Sequence, residues 1–207
     1  VSRNYAGLSR ERILIEALHI IAGRGLGGLS MRRLGDALEV EAMAIYHHFP
    51  LGKEQLFTSI AAYVASPPPT GAAFHDEVGE EGEEQTEVEE RAVADQRPWD
   101  QRLTSWAEAY RERLLTYSGA LSLLAHRAPR TPNSATTWAL MRHAFDEAGL
   151  SGEEIEMAAD ALHAYCIGSV VHQVRHSDED GEEALDAAAW AARFRFGLRS
   201  LLRGLAP

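Results

Sequence analysis

Cysteine is nearly missing from this chain. Cys166 is the single one among 207 residues, so an internal disulfide is excluded and a reducing compartment is expected. Long apolar runs are missing as well. None approaches the ~18 residues that span a bilayer, and no basic-then-apolar leader opens the sequence. These absences predict a soluble, cytoplasmic protein with no membrane partner. There is no β-branched alternation and no internal repeat, so the expected fold class is all-α. Catalytic signatures are absent too: no glycine-rich phosphate loop, no nucleophile elbow, no paired carboxylates in an evident cleft. An enzyme is therefore not expected, and no cofactor is called for. His172 and His176 stand four apart and His47 adjoins His48, but no third and fourth ligand follow at a metal-binding spacing. Cys166, in AYCIGS, reads as an inert buried thiol. Asp160 and His163, three apart, suggest a local hydrogen bond rather than a catalytic dyad.

Basic charge is the scarce sign, and its placement is informative. The chain carries 20 Lys and Arg against 31 Asp and Glu, a formal net charge of -11. Up to Val64, however, seven basic residues face six acidic ones, whereas the remainder holds thirteen against twenty-five. Much of the excess sits in HDEVGEEGEEQTEVEERAVAD. The N-terminal segment is thus close to neutral, and the acidic bulk behind it lowers non-specific affinity for a polyanion and steers which face approaches one. The rest of the composition, 45% hydrophobic and 25% charged, is that of an ordinary globular protein.

Helical periodicity organises the chain into three spans. In 1–64, Ser9 is a candidate N-cap for a helix whose Ile13, Leu14, Ala17, Leu18, Ile20 and Ile21 form one stripe. GRGLGG ends it, with Gly23 and Gly25 available for left-handed backbone. Ser30 caps SMRRLGDAL, in which Met31, Leu34 and Leu38 share a face. Glu39 and Val40 make a turn, and EAMAIYHHF is short enough to be the second helix of a helix-turn-helix, packed inward through Ile45 and Phe49. KEQLFTSIAAYVA follows and stops at three prolines. Span 65–98 is rich in Pro, Gly and Glu and reads as a solvated linker. In 99–207 the helices return. Leu103, Trp106, Tyr110 and Leu114 align in the first, GALSLLAHRA is a shorter helix closed by Pro129 and Pro132, and Trp138, Met141 and Phe145 align in the next. A capping box of Ser151 and Glu154 opens a long helix, and SDEDGEE leads into the last.

A helix-turn-helix lays its second helix in the major groove. Its exposed side here is Ala42, Met43, Tyr46 and His47, and the small residues Ala42 and Ala44 permit close approach to base edges. Tyr46, His48 and Lys53 are placed to reach phosphates. The first amides of the helix capped by Ser30, with Arg32 and Arg33 in the same turn, offer an anion site. Glu41 is awkward for backbone contact but can accept from cytosine N4.

In LSMRRLGDALEV, AMAIYHHF and KEQLF, in that order and spacing, the chain resembles the tetracycline-repressor (TetR) family of bacterial regulators. That resemblance assigns Tyr46, His48 and Lys53 to positions on or beside DNA phosphates. Two departures stand out: Glu39 occupies the turn position usually held by glycine, and PLG places Lys53 one residue further on than usual. WDQRLTSWAEAYRERLL, AGLS, AYCIGSVVHQ and FRFGLRSLLRGL are similar to the tetracycline-repressor subgroup. The resemblance implies a homodimeric repressor of a double-stranded DNA operator, in which a small molecule bound among the C-terminal helices changes the spacing of the two heads.

Two readings rest on the residues themselves. Ala158, Ala161, Ala164 and Gly168, with Ala159 beside them, allow close helix packing, and Phe194, Leu198, Leu201 and Leu202 supply bulk. A four-helix dimer interface is expected from them; the competing reading is that these stripes fill the intrachain core. Trp106, Tyr110, Leu114, Leu124, Trp138, Met141, Phe145, His163 and Tyr165 supply the walls of a small-molecule pocket, although each taken singly fits a core. An effector with an aromatic, planar ring system is expected rather than a charged one. The alternative to the regulator is a helical ligand-binding or protein-interaction module whose DNA-binding head is weakened, as Glu39, Glu41 and the extra residue before Lys53 suggest.

Overall fold

A computed structural model describes residues 8–65, 95–127, 135–177 and 185–205. The described residues contain nine α-helices, two 3-10 turns and no strand. They are α1 Arg10–Arg24, α2 Met31–Leu38, α3 Ala42–His48, α4 Lys53–Ala65, α5 Trp99–Thr116, α6 Leu121–Arg127, α7 Ala135–Glu147, α8 Glu153–His176 and α9 Ala187–Leu205. Most of the proposed linker, the prolines expected to close α6 and most of SDEDGEE lie outside the described residues.

The helices gather into two compact units, and their membership departs from the three spans expected. The first holds α1 to α4 together with the 3-10 turn Ser118–Ala120 and α6; the second holds α5, α7, α8 and α9. The short helix after α5 had no linker signal before it, so the sequence pattern alone assigned it to the C-terminal span.

In the first unit, Ser9 Oγ accepts the Arg12 amide at 3.1 Å and starts α1, satisfying one of the amides a helix start leaves free. The six expected stripe residues of α1 are all buried. Gly25, at φ 67°, ends the helix, whereas Gly23 remains within it. Packing of α1 on α2 and α4, and of α2 on α3, builds the head, and α6 lies against α4. Leu34, Leu38, Ile45, Phe49, Leu56 and Ile60 fill its centre.

In the second unit α5 packs against α7 and α8, and α8 also against α9. Leu103, Tyr110, Leu114, Met141, Phe145, Leu162 and Cys166 form a fully enclosed core. The capping box at α8 is only half formed. Glu154 accepts the Ser151 amide at 3.1 Å, but Gly152 is the N-cap residue and no side chain caps the helix. Burial pushes the Cys166 thiol far above its ordinary range, consistent with the inert role expected for it.

Candidate functional site

The recognition helix is short and firmly held. Ala44, Ile45 and Phe49 are buried, so α3 turns the opposite face outward: Met43 is 65% exposed, Tyr46 and His47 are exposed, and Ala42 and His48 are half-buried. Ala42 therefore lies on the outer face as expected. Ala44 does not; it belongs to the packed side. Glu41, extended at φ -68°, precedes the helix as its N-cap residue. The turn before it uses Glu39 in the left-handed region at φ 58°, a conformation that costs a side chain roughly 1–2 kcal/mol. Gly35 eases the close packing of the turn, because a Cβ there would stand 3.0 Å from the Val40 carbonyl oxygen.

The expected anion group around Ser30 is partly committed to the protein itself. Ser30 Oγ accepts the Arg33 amide at 3.2 Å, and the Arg33 guanidinium donates back to the Gly28 carbonyl. Arg32 is exposed on the same turn. Lys53, the single lysine of the chain, opens α4 and is exposed, its Nζ 5.0 Å from the Phe57 ring centre.

Arg10 was not singled out by sequence reasoning, yet it ties the head together. Its Nη1 donates to the His48 carbonyl at 3.1 Å and its Nη2 to Ser59 Oγ at 2.9 Å, while the guanidinium lies 4.6 Å from the Phe49 ring centre. One side chain from α1 thus satisfies a carbonyl at the end of α3 and pins it to α4. No local motif announces this, since its partners are 38 and 49 residues away.

In the second unit the expected pocket residues separate. Trp106, Tyr110 and His163 come together, with ring centres 4.9–5.2 Å apart, and all three are buried. Burial holds the Tyr110 hydroxyl far above the usual phenol range. Leu114, Met141 and Phe145 are enclosed in the same unit, and Trp138 is half-buried. Leu124 belongs to the first unit, on α6, and is not part of this aromatic group. Tyr165 faces α9 instead. It donates to the Phe194 carbonyl at 2.7 Å, and its ring occupies the space a Cβ on Gly197 would need. A further residue joins the aromatic group from the sequence of α5. Arg102 is 1% exposed and ion-paired with Glu147 of α7. Among the described residues, Arg102 Nε and Nη1, Trp106 Nε1 and Tyr110 Oη are buried with no hydrogen-bond partner. Each such group costs about 1–3 kcal/mol. A separate polar cleft between α5 and α9, beside Glu108, Arg111 and Arg195, is closed across by the 2.6 Å contact of Arg195 with Glu108.

The stripe expected to form a dimer interface also divides. Ala158, Phe194, Leu198 and Leu202 are buried within the chain and Leu201 half-buried, so most of the bulky set serves the intrachain core. Ala161 is half-buried, Ala164 and Gly168 are exposed, and two residues not foreseen, Met157 and Phe196, are 58% and 68% exposed. Met157, Ala161, Ala164 and Gly168 repeat at four, three and four residues along α8, one uncovered helix face.

A helix-turn-helix with its reading face exposed, carried with an all-helical second unit, is the build of a DNA-binding transcriptional regulator. Residues 13–60 match the family model for bacterial regulatory proteins of the tetR family, and residues 93–193 match that of the tetracyclin repressor-like C-terminal domain. The tetracycline repressor protein class C of Escherichia coli is 25% identical over 202 residues, spanning 95% of this chain and 83% of its own. A crystal structure of a variant TetR from Acinetobacter baumannii AYE in complex with minocycline superposes with a TM-score of 0.67 at 26% identity, covering 95% of this chain and 96% of that one. BioQ of Mycobacterium smegmatis gives a TM-score of 0.67 at 24% identity over 96% and 98% of the two chains. The chain belongs to the tetR family of bacterial regulatory proteins. Its function is ligand-responsive regulation of transcription.

Proposed function

We propose that this regulator is a cytoplasmic homodimeric repressor, without catalytic activity, that holds a double-stranded DNA operator through α3 and leaves it when a small aromatic molecule binds in the second unit. The observation that carries the reading is the outer face of α3: Met43, Tyr46 and His47 stand free while Ile45, Phe49 and Arg10 hold the helix rigid behind them. Two heads are required, because one contacts only a half-site, and half-sites lie roughly 34–36 Å apart. Met157 and Phe196 supply an apolar face for the second copy. Trp106, Tyr110 and His163 supply the aromatic walls for the effector, and the minocycline complex of the Acinetobacter baumannii relative supports a small-molecule role for this half. Release is a population shift: the effector favours a head separation that no longer matches successive major grooves.

The test is selection of bound sequences from random duplexes, followed by titration of the winner. Tyr46→Ala and Lys53→Ala are expected to weaken binding about tenfold or more, and Lys53→Ala to lower the salt slope by about 0.9. Wild-type dimer that prefers no duplex over heparin at modest ionic strength would eliminate the repressor. Glu41, exposed at the start of α3, favours a second reading, a helical ligand-binding module with a weakened head; that outcome is the one it predicts.

A further inference from the structure

We infer that Met43 selects the operator by seating the 5-methyl group of a thymine, one in each half-site, and that Leu51, from the extra residue before Lys53, extends the same apolar strip. This rests on the reading of α3 as the helix that enters the major groove, and it names what that helix selects there. Five large apolar side chains are exposed among the described residues. Three of them, Met43, Tyr46 and Leu51, lie on α3 and the loop that follows it. Single exposed apolar residues are ordinary on a surface, whereas a contiguous set marks a contact. These three form one strip. Met43 and Tyr46 stand three apart on one helix face, and the Tyr46 ring lies over Gly52, where a Cβ would be 3.3 Å from it. Leu51, 79% exposed, adjoins Gly52.

The strip is rigid. Ala44, Ile45 and Phe49 fix α3 from behind. In the loop, the Leu51 amide donates to Gln55 Oε1 at 3.0 Å and the Gly52 amide to the Phe49 carbonyl at 2.8 Å. Both amides are committed to the protein, so this loop offers DNA an apolar side chain in place of a phosphate donor. Position decides which of the three meets a base, since the first residues of a recognition helix contact base edges. Ala42 ends at its Cβ and Ala44 is buried, so Met43, 65% exposed, is the side chain of that turn with reach. Its chemistry decides which base. A thioether donates nothing and accepts weakly, and the one apolar group on the major-groove edges is the thymine methyl. Against the other bases the same side chain covers amino, carbonyl or ring-nitrogen groups without replacing their lost water. Tyr46 and Leu51, further along, meet sugars and phosphates that every sequence shares.

The test starts from the duplex that the full-length protein selects from random sequence. Each thymine of a half-site is replaced in turn by uracil, which removes the methyl and nothing else, and binding is read by fluorescence anisotropy. At one position uracil is expected to weaken binding about fourfold, and about fifteenfold when both half-sites carry it. At that position 5-methylcytosine should bind better than cytosine by a similar factor. Met43→Ala, whose helical content is unchanged because the side chain is exposed, brings the thymine-to-uracil ratio near one, and Met43→Leu keeps most of it. Leu51→Ser weakens thymine and uracil duplexes alike. Uracil tolerated at every position, or a uracil penalty that survives Met43→Ala, overturns the inference. A ratio that collapses in Leu51→Ser instead overturns the assignment to Met43. Preference for 5-methylcytosine over cytosine, without one for thymine over uracil, overturns thymine as the source of the methyl. A selected duplex indifferent to uracil leaves the repressor reading standing, whereas no selected duplex at all strikes that reading and this inference together.

Discussion

Arg10 sits at the point where α1, α3 and α4 meet, with its guanidinium engaged by the His48 carbonyl, Ser59 and the Phe49 ring. Arg10→Ala is expected to lower the stability of the head by roughly 1–3 kcal/mol and to weaken operator binding by loosening α3. It should leave the slope of log affinity against log salt unchanged, because no phosphate contact is removed. Anisotropy titrations at several salt concentrations read this directly, and a slope reduced as for Lys53→Ala would reassign Arg10 to the DNA. Glu39 makes the opposite kind of prediction. Glu39→Gly relieves the left-handed strain at φ 58° and should raise the urea midpoint, by roughly 0.5–1 kcal/mol of stability. An unchanged or lower midpoint would mean that the carboxylate compensates for its backbone. Glu39 was legible because the turn itself demands a left-handed residue there. Arg10 was not, because its partners become neighbours only after α1 crosses the rest of the head.

At the level of elements, periodicity located the apolar faces but not what covers them. The stripe of α5 was read correctly, down to Leu103, Trp106, Tyr110 and Leu114. The same reasoning assigned Phe194, Leu198 and Leu202 of α9 to a partner, whereas they face the chain's own core; a 3.6-residue repeat carries no label for the surface it meets. Tyr165 was misplaced for a related reason, since an aromatic residue in a helix says nothing about which neighbour is thinned by a glycine. The enclosed face of α5 and α8 also has a pH signature. Burial raises both Tyr110 and Cys166 above their ordinary values of 10.0 and 9.0. The unfolded chain therefore ionises first, and their stability contribution is complete below about pH 9 and declines as pH rises beyond it. Denaturant midpoints should fall steadily between pH 8.5 and about 10.5, and Tyr110→Phe should flatten the later part of that fall. A midpoint independent of pH across this window would show that neither group is sealed from water.

On the scale of the whole molecule, the uncovered faces of α8 and α9 predict the assembly. Met157→Glu combined with Phe196→Asp places charge where two copies would bury apolar surface, and should shift sedimentation from dimer to monomer with little change in helical content. Dimer persisting in the double variant would move the interface elsewhere. Acidic repulsion is also a whole-molecule property: the near-neutral head is the part of a chain of net charge -11 that tolerates a polyanion. One detail of the chain path concerns the crossing from the second unit to the first. The 18-residue α5, which bears Arg102, Trp106 and Tyr110, ends at Thr116. Tyr117 then leads without a loop into the 3-10 turn whose Gly119 rests against Ile21 of α1. A rod about 27 Å long thus ends in the second unit, and the chain reaches a residue packed on α1 within three positions, from Thr116 to Gly119.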